Sequence, residues 1–196
     1  MPRNRKGLKS DLKELLMLLI LKFEGPVGRY RLKGMLGLSE HEGRVKRMLA
    51  DLRRGSYASS GRSGSKITAK GEALLKRHLN MYGIKDVKDL KLQPLETGPA
   101  SFVIHLRGKA NAVTSGIRER DAAIRGGALG AVVLTFKNGV LSVPTVYPDL
   151  SSVYPELVEE ICKSFSLADG DVLIIASAEN KWRALEGGLA AARALA

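Results

Sequence analysis

The sequence predicts an α+β protein in two domains: a basic helical module carrying a two-stranded ribbon, then a neutral module of order βαββαβ plus a terminal helix. Three observations predict it. Residues 1–91 hold 22 Lys/Arg against 9 Asp/Glu, net +13, whereas residues 92–196 hold 10 against 11, net −1. The first half carries apolar stripes of helical spacing around one short ribbon. The second alternates branched, strand-like runs with helical ones. A hydrophobic share of 44% with 27% charge puts both halves outside the disordered regime. Domain boundaries are expected at 1–82, a linker at 83–99 and 100–196, because charge and texture change together near residue 92 and Pro/Gly residues cluster to Pro99.

In the first half, Ser10 caps a helix from about Asp11 to Phe23, after a disordered basic arm. Leu15 to Leu21 is apolar on every side, more than one covered face requires, so a second cover is expected from the other domain or another subunit. Gly25-Pro26 breaks that helix, Gly28 to Tyr30 leads in, and a short helix from about Tyr30 to Leu36 stops at Gly37. Ser39-Glu40-His41-Glu42 has capping-box form and opens a third helix to about Arg54. Val45, Met48, Leu49 and Leu52 are its inward stripe, and Glu40, Gly43, Arg44, Lys46, Arg47, Ala50 and Arg54 lie on its front and flanks. Ser56 to Ser59 and Lys66 to Thr68 read as two short strands with Arg62 at the tip of their turn. Thr68 caps a last helix to about Leu79.

Residues 8–80, on Gly37-Leu38-Ser39, the Val45/Met48/Leu49/Leu52 stripe and the ribbon closing on Lys66-Ile67-Thr68-Ala69-Lys70-Gly71, resemble the winged helix-turn-helix domain of prokaryotic and archaeal transcription regulators. The resemblance implies duplex-DNA binding without catalysis, with Arg44, Lys46, Arg47, Arg54, Arg62 and Lys66 as the contacting residues. A helix with an apolar back and a basic front fits a major groove, where arginine reaches guanine edges and phosphates. Two rivals stand beside it, an RNA- or translation-associated winged helix and an enzyme with its site in residues 100–196.

The second half reads as strands at Ser101–Leu106, Ala131–Phe136, Val140–Val146 and Val172–Ala176. Helices follow at Gly116–Arg125, from Ser151/Ser152 to Phe165, and from about Glu179 to Leu195. Asn138-Gly139 is a hairpin turn, and Pro144 places its strand at an edge. The order matches a ferredoxin-like, split βαβ plan, and this half resembles archaeal domains of unknown function. Behind a DNA-binding module it is expected to sense a small-molecule effector, to dimerise the chain, or both. Asp121, four residues after Ile117 on the side shared with Ile124, is expected either to be held in a salt bridge within or between helices or to face a cavity and, with Arg118, Arg120 and Arg125, bind a small polar ligand.

No motif for nucleotide, zinc or nucleophilic chemistry is present, so neither a cofactor nor a metal is expected. His41, His78 and His105 lack partners at metal-ligand spacing, and Cys162, the only cysteine, reads as a buried, inert thiol. No apolar run approaches ~18 residues and no secretory leader is recognisable, so a cytoplasmic protein without a membrane partner is expected. The single Gln and five Asn fit a thermophile. A homodimer is expected, on the all-round apolar first helix and on the last helix, where Trp182, Leu185, Leu189 and Ala192 form a stripe beside Gly187, Gly188, Ala190, Ala191 and Ala194.

Overall fold

The computed structural model describes residues 12–196, so Ser10 and the basic arm lie outside the described residues. The chain divides into two compact units, up to His78 and from Leu79 onward.

The first unit begins with α1 (Leu12–Glu24), in which Leu15 through Leu21 are all buried. That burial is achieved within a single chain, so α1 gives no reason to invoke a second subunit. A short α2 (Arg29–Met35) closes on Gly37 in the left-handed conformation, φ 61°. The Leu38 amide donates to the Lys33 carbonyl at 3.0 Å, and the Leu38 side chain is buried, which is the Schellman ending. This closure also explains why α3 (Glu42–Arg54) starts later than the capping box predicts. The Leu38 carbonyl is taken by the His41 amide at 2.9 Å, so Ser39 and Glu40 belong to the turn. His41 becomes the cap, without a side-chain bond. Val45, Leu49 and Leu52 are buried along α3, and Met48 is half-buried.

Strands β1 (Ala58–Gly61) and β2 (Gly64–Ile67) form an antiparallel ribbon in register Ala58↔Ile67. Val27 adds a bridge to Ser65, with mutual backbone bonds of 2.8 Å. Thr68 caps α4 (Ala69–Met81), its hydroxyl accepting from the Gly71 amide at 3.1 Å and donating to the Ser56 carbonyl at 2.7 Å.

The second unit is built on one antiparallel sheet of β3 (Ile84–Lys88), β4 (Ala100–Leu106), β5 (Gly130–Lys137), β6 (Val140–Ser142) and β7 (Val172–Ala178). Its strand order is β3-β4-β7-β5-β6. Two expectations need correction. Residues 83–99 are not a linker, because β3 pairs with β4 (Val87↔Ile104) and Leu92 and Leu95 enter the core. The ferredoxin-like arrangement would set the first and third of the four expected strands side by side. Here the second and fourth, β5 and β7, are the central neighbours, in register Val133↔Ile174.

Period-two alternation divides the core. Val103, Leu134, Leu173 and Ile175 face α6 (Pro155–Ser164), where Leu157 and Ile161 complete the cluster with Phe165. The other face meets α5 (Ile117–Arg125) and α7 (Lys181–Ala194), which pack tightly on each other. A Cβ on Gly187 would stand 2.5 Å from the Ala128 Cβ and 2.9 Å from the Ala123 carbonyl, so only glycine allows this approach. The small residues of α7 are thus used inside the unit, and the second motive for a dimer falls as well.

Asn138 (φ 51°) and Gly139 (φ 79°) make the β5–β6 turn. The strand after it is shorter than expected, since Pro144 cannot donate and the chain turns back through a Val143↔Tyr147 bridge. Cys162 is exposed, not buried. Among the described residues no helix is long and apolar enough to cross a membrane.

Candidate nucleic-acid interface

Between residues 12 and 78 the chain carries 15 Lys/Arg against 6 Asp/Glu, net +9. On α3 that excess lies opposite the buried stripe. Gly43, Arg44, Lys46, Arg47, Arg53 and Arg54 are exposed, while Val45, Leu49 and Leu52 are buried. Arg54 pairs with Asp51 at 3.1 Å, a surface contact between two well-exposed side chains.

The ribbon stands against the end of the same helix. The Arg53 guanidinium donates to the Leu49 carbonyl at 3.3 Å and to the Ser60 hydroxyl at 3.4 Å, and Ser60 and Ser65 hydroxyls meet across the strands at 3.2 Å. Arg62 and Lys66 are both exposed. With Pro26, Ser59 and Ser63 they line an open recess of about 320 Å³ on the ribbon. All six residues expected to contact DNA are therefore exposed, four on α3 and two on the ribbon.

A second exposed basic recess, which the sequence reading did not single out, lies on α2. Arg29, Tyr30 and Lys33 line a recess of about 170 Å³ together with Glu42 and Val45 of α3. Tyr30 is 83% exposed, with the Lys33 ammonium 5.0 Å from its ring centre, and Arg29 pairs with Glu42 at 3.2 Å. The basic-aromatic run Arg29-Tyr30-Arg31-Leu32-Lys33, with only Leu32 buried, is the signal that would have found it.

The ligand constellation expected on α5 does not assemble. Glu119, Ala122 and Ala123 face inward, whereas Ile117 and Ile124 are 51% and 46% exposed. The close approach of α7 at Ala123 and Ala128 leaves no room for isoleucine there, and the isoleucines of α5 lie outward. Asp121 pairs with Arg120 at 3.2 Å on the surface, the Arg118 guanidinium donates to the Ala194 carbonyl, and Arg125 is exposed.

The buried charge of the second unit lies elsewhere. His105 Nε2 and Asp171 Oδ2 are 2.7 Å apart, both residues being almost wholly inaccessible. Burial pushes the imidazole below its ordinary range, against the pull of Asp171, so a neutral ring donates to a carboxylate. Burial pushes Asp171 up, but the bonds from His105 and from the Ala168 (3.0 Å) and Gly108 (3.1 Å) amides outweigh it and hold the carboxyl below its ordinary value. The pair ties β4 to two loops and touches no recess described above. Among the described residues no three His, Cys, Asp or Glu come together as a metal site.

The second unit also settles the relationship. Residues 97–195 match the model of a domain of unknown function, DUF4443, over half the chain. The chain belongs to the DUF4443 family. The DUF4443 match runs from just before β4 to the end of α7 and leaves out β3. Among solved structures the chain is similar to the hypothetical protein PH0730 from Pyrococcus horikoshii OT3. The identity is 25% and the TM-score 0.67, over 92% of this chain and 90% of that one. No curated protein matches.

Proposed function

We propose that the first unit is a winged helix-turn-helix that binds duplex DNA without catalysis, in an archaeal transcription regulator. In this reading α3 is the groove-entering helix, β1 and β2 are the wing, and Arg29, Tyr30 and Lys33 meet the phosphate backbone beside α3. The observation that carries it is the two-sided character of α3, buried along Val45, Leu49 and Leu52 and exposed and basic along Arg44, Lys46 and Arg47. A helix whose exposed face carries an excess of cations attracts a polyanion through counterion release, and the exposed Gly43 lets the backbone come close. The likeness to a Pyrococcus protein along nearly the whole chain supports the archaeal setting.

The test is fluorescence anisotropy of the full chain on a random-sequence duplex, on single-stranded DNA and on single-stranded RNA, across ionic strength. If the six exposed basic residues of α3 and the wing each neutralise one phosphate, log affinity should fall with log salt at a slope of about −5. Arg47→Ala should weaken a selected cognate duplex by about 1–3 kcal/mol while leaving random duplex less affected. Affinity indifferent to salt, or preference for single-stranded RNA, refutes the reading.

A further inference from the structure

We infer that the outer face of α5 is a two-fold interface with a second copy of this chain. The face consists of Ile117, Arg120, Asp121 and Ile124, which fall within one arc of the helix at the i, i+3, i+4, i+7 spacing. Its two isoleucines are about half exposed, and Leu129, just beyond the helix, is 49% exposed. What singles these side chains out is that they share one helix face, where together they form a contiguous apolar strip flanking one cation and one anion.

The occupant follows from the order of the residues. An antiparallel copy of α5, related by a two-fold axis passing between residues 120 and 121, sets Ile117 against the partner copy's residue 124. The same operation sets Arg120 against the partner copy's residue 121. Ile117 and Ile124 lie about 10.5 Å apart along the axis and exchange places under the rotation. Arg120 and Asp121, already 3.2 Å apart within one chain, then pair across the interface as well. Apolar meets apolar and cation meets anion in both directions, which is the condition for an isologous contact. Arg118, on the flank, is drawn back by its bond to the Ala194 carbonyl. The inference does not depend on what the first unit binds.

A helix of nine residues buries less than the ~1,200 Å² at the low end of stable interfaces, so the dimer should form reversibly with concentration. Sedimentation velocity on the full chain, from low to high micromolar protein, should show a 21.2 kDa species giving way to one of twice that mass. Ile124→Glu should leave monomer throughout. Arg120→Asp places two acids opposite each other and Asp121→Arg two bases, so each alone should weaken association about tenfold. The double variant R120D/D121R restores opposite charges and should recover association to within about threefold of the parent. These side chains are at the surface, so each variant should melt with the parent. Should Ile124→Glu fail to fold, the charge-exchange series carries the test alone. A parent that stays monomeric overturns the inference, as does an Ile124→Glu variant that dimerises like the parent or a double variant no better than the singles.

Discussion

Replacing Asp171 with alanine should cost the second unit about 3–5 kcal/mol. The carboxylate receives three donors, the His105 ring at 2.7 Å, the Ala168 amide at 3.0 Å and the Gly108 amide at 3.1 Å. His105 is 1% exposed, so its N–H would be stranded where water does not reach, at roughly 1–3 kcal/mol. Ala168 and Gly108 are exposed residues whose amides can recover part of their bonding from water, which keeps the total below three full penalties. For a unit of this size, such a loss lowers the melting temperature by roughly 10–20 °C. Circular dichroism melts of the full chain would measure it. His105→Phe in the same background removes the stranded donor, so D171A with H105F should lose less than the sum of the two single changes. A D171A protein melting within a few degrees of the parent, or strict additivity of the pair, would refute the argument that this contact holds the loops to β4.

Acid should destabilise the protein before any carboxylate titrates. Burial holds both His105 and His78 below the ordinary 6.5, and the two ring nitrogens of His78 are buried without a hydrogen-bond partner. Below pH 6.5 the unfolded chain therefore takes up protons that the folded chain refuses, and stability falls as pH drops through that window. The depressed Asp171 adds a second loss at lower pH, as the medium passes below the ordinary carboxylate value. Melts from pH 7.5 downward should show the first decline, and His78→Leu should flatten part of it. Gly187→Val should destabilise by about 1–3 kcal/mol or more, despite valine's better helix propensity, because its branches must displace Ala128 and the Ala123 carbonyl; an unchanged denaturation midpoint would contradict the close packing of α5 on α7.

Much of the chain's layout was readable because local chemistry and tertiary structure agreed. The Val45/Leu49/Leu52 stripe, the Asn138-Gly139 turn and the Thr68 cap each depend on neighbours within a few residues. Readings failed where distant contacts decide. Ile117 and Ile124 look like an inward stripe on α5, but α7 presents Gly187 to the Ala123 carbonyl and to Ala128, and so close an approach leaves no room for isoleucine between the two helices. Strand β3 was hidden because a bulge between Ile84 and Asp86 breaks its alternation and three of its five residues are charged. His105 and Asp171 are 66 residues apart, and no spacing rule links them. On the proposed interface, the arginines of α3 were legible from the helical repeat. Tyr30 was not, since an aromatic residue next to basic ones reads equally well as core until burial is known.

The place of β3 at the edge of the sheet bears on where the family's domain can be cut. The Lys85 and Lys88 ammonium groups donate to the carbonyls of Ser166 and Ser164 at the end of α6, fastening the strand to the helix as well as to β4. A fragment beginning at residue 97, where the family match begins, would lack that strand together with Leu92 and Leu95. One long side of β4 would then offer unpaired amides and carbonyls to any extended chain that met it, and the apolar layer beneath would open to water. Such a fragment is a template for self-association, so the smallest piece of this protein that behaves as a domain begins before residue 84.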